Sequence, residues 1–204
     1  MFEPKFEVKN HEDTKIIGIH ELEVFANKYQ INRYAKGRYS WYFIFQIMMY
    51  QQQFGIEPAE IVEAIRELEL DCEDNLIKPA TQFRHLPLKG LWHKHYFSAR
   101  FMAKNLQLHH GKDGIKKILD KYWSEGEPLT DNILRTVAEE FTFKAFEDRA
   151  DCGKLTGEWI VFAKLEDKNY YLALGEHDGS DHQLYEVIKS TCSPQFSFLD
   201  DILE

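Results

Sequence analysis

Apolar and polar positions first alternate, then recur at helical spacing, then alternate again along this chain. Phe6 and Val8, followed by Ile16, Ile17 and Ile19, predict one or two short strands around a polar turn at 10–14. Residues 21–28 predict a short helix. Residues 39–54 predict a longer, aromatic-rich one, capped at Ser40 and stopped at Gly55. Pro58 opens another helix over 58–68, with Ile61, Val62, Ile65 and Leu68 on one face. The tight turn between these two helices predicts an antiparallel pair. Pro79 and Pro87 keep the next stretch irregular. Residues 92–106 read as a strand first and as a helix from Tyr96 onward. Helices are expected over 114–123 and 131–150, the second capped by Thr130 or Asp131. The ending changes period. Two β-rich runs within 157–178 flank a polar turn at 166–169, which predicts a hairpin. A third strand is expected over 183–190. The fold class is therefore α+β, with helical N-terminal and middle parts and a C-terminal antiparallel β-meander. The acidic stretch 70–78 marks a boundary between a helical, acidic region 1–75 and the remainder, 76–204. The two also read as one continuous domain.

Composition narrows the class. Apolar residues make up 44% and aromatic residues 14% of the 204 positions, enough for a packed core, so global disorder is excluded. The most apolar run, 41–50, is far short of the about 20 residues a membrane helix needs, so no membrane partner is expected. The start of the sequence has no apolar signal region. Cys72, Cys152 and Cys192 are scattered and form no CxxC pair. That argues against structural zinc and for a reducing, cytoplasmic location.

Charge is distributed unevenly. The chain carries a formal −9, yet residues 76–117 carry nine Lys/Arg against the single acid Asp113. The flanks are acidic, net −6 over 1–75 and −11 over 118–204. The basic stretch also holds His85, His93, His95, His109 and His110, interleaved with Phe83, Trp92, Tyr96, Phe97 and Phe101. Clustered cations bind phosphates and rings stack on bases, so a polyanion is the expected partner, with RNA first. Arg84, Trp92, Lys94, Tyr96 and Lys104, with Lys164 from the hairpin, are the candidate nucleic-acid contacts.

His93-Lys94-His95 is the candidate catalytic core. In an extended segment, side chains two apart share a face, so both imidazoles converge. Such a pair serves as acid and base in phosphodiester cleavage, or holds a metal if a third ligand exists. Glu176, His177, Asp178 and His182 are the only nearby candidates for that ligand, and known metal patterns fit badly. No metal and no cofactor is expected. His109 and His110 read as cations at a helix C-terminus. On the hairpin, one face offers Phe162, Lys164, Tyr171 and His177, a surface able to hold an RNA strand. Ile160 and Phe162 on that same face favour packing against the N-terminal helices instead.

The run Ile160-Val-Phe-Ala-Lys-Leu-Glu-Asp, then Asn169-Tyr-Tyr-Leu-Ala-Leu-Gly-Glu-His-Asp, then Leu184-Tyr-Glu, resembles the last strands of the RelE-type ribonuclease toxins. The likeness covers residues 155–186. The wider class, with EndoU-like and colicin-like ribonucleases, cleaves RNA without metal through His, Lys, Arg or Tyr. The resemblance implies roles for Tyr171 and His177, with His93, His95, Lys89 and Arg100 completing the site. The segment Leu86-Pro-Leu-Lys-Gly-Leu-Trp-His-Lys-His-Tyr-Phe reads as a motif and is assigned to no family. The first expectation is thus a metal-independent RNA-cleaving enzyme of toxin or defence type. A non-enzymatic acidic interaction protein, such as an immunity protein, inhibitor or nucleic-acid mimic, is the second. A nucleic-acid-binding module without chemistry is the third.

Overall fold

The computed structural model describes residues 3–9, 14–71, 79–96, 106–107, 109–145, 148, 158–175 and 179–203. Expected elements at 72–78, 97–105, 149–157 and 176–178 lie outside the described residues. The fold is α+β, and the chain divides into two compact units. One comprises residues 1–96 with 158–204, and the other residues 97–157. The sequence boundary near residue 75 thus falls inside the first unit, because strand pairing ties the residues that follow it to the hairpin.

The first unit opens with a hairpin of β1 (Phe6–Lys9) and β2 (Thr14–Ile17), paired antiparallel. Four helices follow: α1 (Ile19–Lys28), α2 (Ile31–Ala35), α3 (Trp41–Phe54) and α4 (Pro58–Leu70). The stop at Gly55 works as its sequence requires, with φ +65, a left-handed conformation that costs glycine little. Ser40 has two tasks. Its hydroxyl accepts from Phe43 N at 2.9 Å, capping α3, and donates to Leu172 O at 2.6 Å, fastening α3 to the sheet. The residue is fully buried. Ser40→Ala is expected to lower stability by about 1–2 kcal/mol, read as a shift of the urea midpoint at constant slope. An unmoved midpoint would mean that water replaces both bonds.

The larger sheet has the order β3-β4-β5-β6, antiparallel throughout, from β3 (Thr81–Gln82), β4 (Trp92–His95), β5 (Trp159–Leu165) and β6 (Lys168–Gly175). The β5–β6 turn is only Glu166 and Asp167, both at positive φ (51 and 59), as a two-residue hairpin turn demands. Lys168 and Asn169, expected in the turn, already belong to β6. The outer edge of β6 is covered where Tyr171 N donates to Arg38 O and Ser40 N donates to Tyr171 O, each at 2.8 Å.

The expected third strand at 183–190 is instead a helix, α7 (Asp181–Cys192), numbered after α5 (Gly114–Tyr122) and α6 (Asp131–Glu139) of the second unit. Tyr185, Ile188 and Cys192 are buried at helical spacing, and Ser180 caps the helix by accepting from Gln183 N. This helix and the short 3-10 turn Ser197–Asp201 cover one face of the sheet, burying Val161, Ala163, Leu172 and Ala173. The other face buries Ile160, Phe162, Tyr171 and Leu174 against α1–α4. At Phe162 and Tyr171 the RNA-binding face expected on the hairpin is therefore closed, and the alternative packing holds there. The face assignment of β6 also shifts. Val161 pairs with Ala173 but Phe162 with Tyr171, so Leu172 is an extra residue. This bulge turns Leu174 to the helix-α3 side and Ala173 away from it.

In the second unit, α6 begins where Thr130 accepts from Ile133 N. The helix expected over 131–150 is α-helical to Glu139, widens into a π turn at Glu140–Lys144, and is α-helical again at Ala145 and Asp148. His110 is more than a solvated cation. Its ring stacks on Phe141 at 4.5 Å, and its Nε2 lies 2.8 Å from Phe141 O.

Candidate functional site

Strand β4 places chemistry on both faces of the sheet because successive residues project in opposite directions. His93 and His95 lie on the side of Trp159 and Phe83. Trp92 and Lys94 lie on the side of α4.

The two imidazoles do meet. Their ring centroids are 5.8 Å apart and nearly perpendicular, and both side chains are half-buried. His93 packs 4.5 Å from Phe83 and 5.1 Å from Trp159, and His95 lies 6.1 Å from Trp159. The Thr81 hydroxyl lies 3.1 Å from His93 Nε2. That contact follows from strand register, since Thr81 faces His93 across β3–β4. The aromatic walls restrict rotation of both rings, and the threonine adds a polar contact at His93. The 83–91 connection beside the pair is pinned by Phe83 N to Leu91 O at 2.9 Å and Gln82 Nε2 to Gly90 O at 3.1 Å. Arg84, His85 and Lys89 stand exposed along it.

Lys94 goes elsewhere. It is only 2% exposed and its Nζ lies 3.1 Å from Glu67 Oε2 on α4. It is therefore no contact for a polymer, contrary to the sequence reading. Tyr96 and Tyr171 are corrected likewise, both being fully buried. The Tyr96 hydroxyl donates to Glu158 Oε2 at 2.8 Å and that of Tyr171 to Glu69 Oε1 at 2.6 Å. Burial, reinforced by those carboxylates, pushes both phenols above the ordinary value of 10.0. They are neutral donors locked in the core, so Tyr171 has no catalytic role. Lys164 is exposed and holds its Nζ 4.3 Å from the centre of the Trp92 ring, so these two candidates are brought together.

Arg100, Lys104 and His177 lie outside the described residues, as do Glu176 and Asp178. His182 is exposed on α7. Among the described residues no group of three His, Cys, Asp or Glu is arranged to hold a metal ion, and no helix is long and apolar enough to cross a membrane. The basic run of 76–117 is divided between the two units: Arg84, Lys89 and Lys94 stand in the first, Lys112, Lys116 and Lys117 in the second. Sequence reasoning missed Thr81, Phe83 and Trp159 as neighbours of the histidines. It also missed Glu67 as the partner of Lys94. Nothing short of the strand register could have named them.

Comparison of the chain with protein-family models, with curated proteins and with solved structures found no match in any of the three.

Proposed function

We propose that the protein cleaves RNA without a metal, using His93 and His95 as the acid–base pair. One observation carries this reading: two half-exposed imidazoles share one strand face with ring centroids 5.8 Å apart. That spacing suits two groups flanking one phosphate. One imidazole takes the proton of the ribose 2′-hydroxyl as its oxygen attacks the adjacent phosphorus. The other gives a proton to the leaving 5′-oxygen, leaving a 2′,3′-cyclic phosphate and a 5′-hydroxyl end. Phe83 and Trp159 wall the pair, and Thr81 orients His93. Arg84 and Lys89, exposed on the adjoining connection, supply cations for the RNA backbone.

The test is incubation of purified protein with total RNA and tRNA in excess chelator, beside the His93→Ala/His95→Ala double variant. Discrete fragments with cyclic-phosphate ends from the parent protein alone are expected. Absence of cleavage by well-folded parent protein overturns the proposal, and cleavage that survives in the double variant removes the histidines from it.

A further inference from the structure

We infer that the pocket on the α4 side of β4 binds a small zwitterion, a free α-amino acid with an apolar side chain. This does not rest on the ribonuclease reading, because Lys94 and the histidines project from opposite faces of the strand.

The pocket encloses about 240 Å³ and draws its walls from the end of α4, from β4 and from the β5–β6 hairpin. Among the described residues its charged ones are Glu67, Asp71, Lys94 and Lys164. Two of them are deeply placed: Lys94 is 2% exposed and the Glu67 side chain 17%. Burying an ion pair commonly stabilises less than an apolar pair of the same volume, so packing α4 on β4 does not by itself call for these residues. Among the described residues charge on the wall is balanced, two ammonium groups against two carboxylates. A simple anion reaching the lysines meets repulsion from Glu67 and Asp71. A simple cation reaching the carboxylates meets it from Lys94 and Lys164. A molecule with both poles is attracted at each end. Its carboxylate faces the lysines and its ammonium the acids. Trp92 and Leu68 give the wall an apolar side, against which an aliphatic or aromatic side chain loses its water. The Trp92 ring is held in place by Phe162 on one side and by the Lys164 ammonium, 4.3 Å from its centre. The volume suits a molecule of amino-acid size.

The test is calorimetric titration of the full chain with L-leucine and L-phenylalanine. 4-Methylpentanoate, 3-methylbutylamine and inorganic phosphate serve as one-pole controls. A dissociation constant below about 1 mM is expected for at least one of the two amino acids, with every control weaker by at least about tenfold. Lys164→Met, which retains the stem over Trp92 and changes an exposed position, is expected to weaken binding by about tenfold without moving the melting temperature. Lys94 is left in place, because removing it would strand the Glu67 carboxylate. No heat of binding for either amino acid up to about 10 mM overturns the inference. So does equal binding of a one-pole control, which would make the site an ordinary anion or cation site. Undiminished binding by the Lys164 variant overturns it as well, by placing the ligand elsewhere.

Discussion

Replacing His93 or His95 singly by alanine is expected to slow RNA cleavage by about 10²–10⁴-fold. The double variant is expected to be hardly slower than the worse single one, because the two rings act as a unit. In the proposed mechanism the proton is taken at one ring and given at the other. Activity would then require one neutral and one protonated imidazole, and the rate of the parent protein is expected to follow a bell against pH. Each single variant loses one limb of that bell. This separates chemistry from packing, because a merely structural histidine would lower the yield of folded protein and leave the shape of the profile intact. Thr81→Val gives a finer reading. It removes the hydroxyl 3.1 Å from His93 Nε2 and keeps the volume, so the limb owned by His93 should move while that of His95 stays. A single variant of either histidine with the parent rate and profile would sink the assignment.

The local elements were legible because their signals are local. Ser40 and Gly55 bracket α3, Pro58 opens α4, and the alternation of β5 and β6 shows a hairpin. The spacing of His93 and His95 gave their shared face for the same reason. What sequence did not carry depends on partners far along the chain. The strand expected over 183–190 gave way to a capped helix starting after Ser180, because the cap and the helical spacing of Tyr185, Ile188 and Cys192 won. The bulge at Leu172 leaves no mark in the pattern, yet it decides which layer receives Ala173 and Leu174. Lys94 and Tyr171 looked like site residues because cation and phenol types suit phosphate chemistry. Each instead meets a glutamate of α4, Glu67 and Glu69 respectively, brought there by packing across the sheet.

Glu69→Ala is expected to cost about 3 kcal/mol of stability. Its carboxylate receives Arg38 Nη1 at 2.9 Å and Arg38 Nη2 at 2.5 Å, the Tyr171 hydroxyl at 2.6 Å and Asn169 Nδ2 at 3.2 Å. Arg38 in turn donates to Tyr34 O at 2.6 Å and to Asn169 O at 2.8 Å. One carboxylate thus joins the end of α4, the α2–α3 connection and β6, and alanine would leave a guanidinium and a phenol without their acceptor. The same geometry fixes a pH dependence. Burial works to raise the Glu69 carboxyl, but the bonds from Arg38 and Tyr171 outweigh it and hold the group below its ordinary 4.5. The folded state therefore binds this proton less readily than the unfolded chain. The stabilisation is complete above about pH 4.5 and is lost as pH falls through the lower folded value. Glu69→Gln keeps the shape and removes the charge, so its urea midpoint should be lower than the parent's near pH 7 and fall less on acidification to about pH 3. The alkaline limb has the opposite sign. Tyr171 and Tyr96 are raised in the fold, so the unfolded chain ionises first and stability declines as pH rises past about 10. An alanine variant with the parent midpoint, or a glutamine variant with undiminished acid sensitivity, would show that Glu69 does not join these elements energetically.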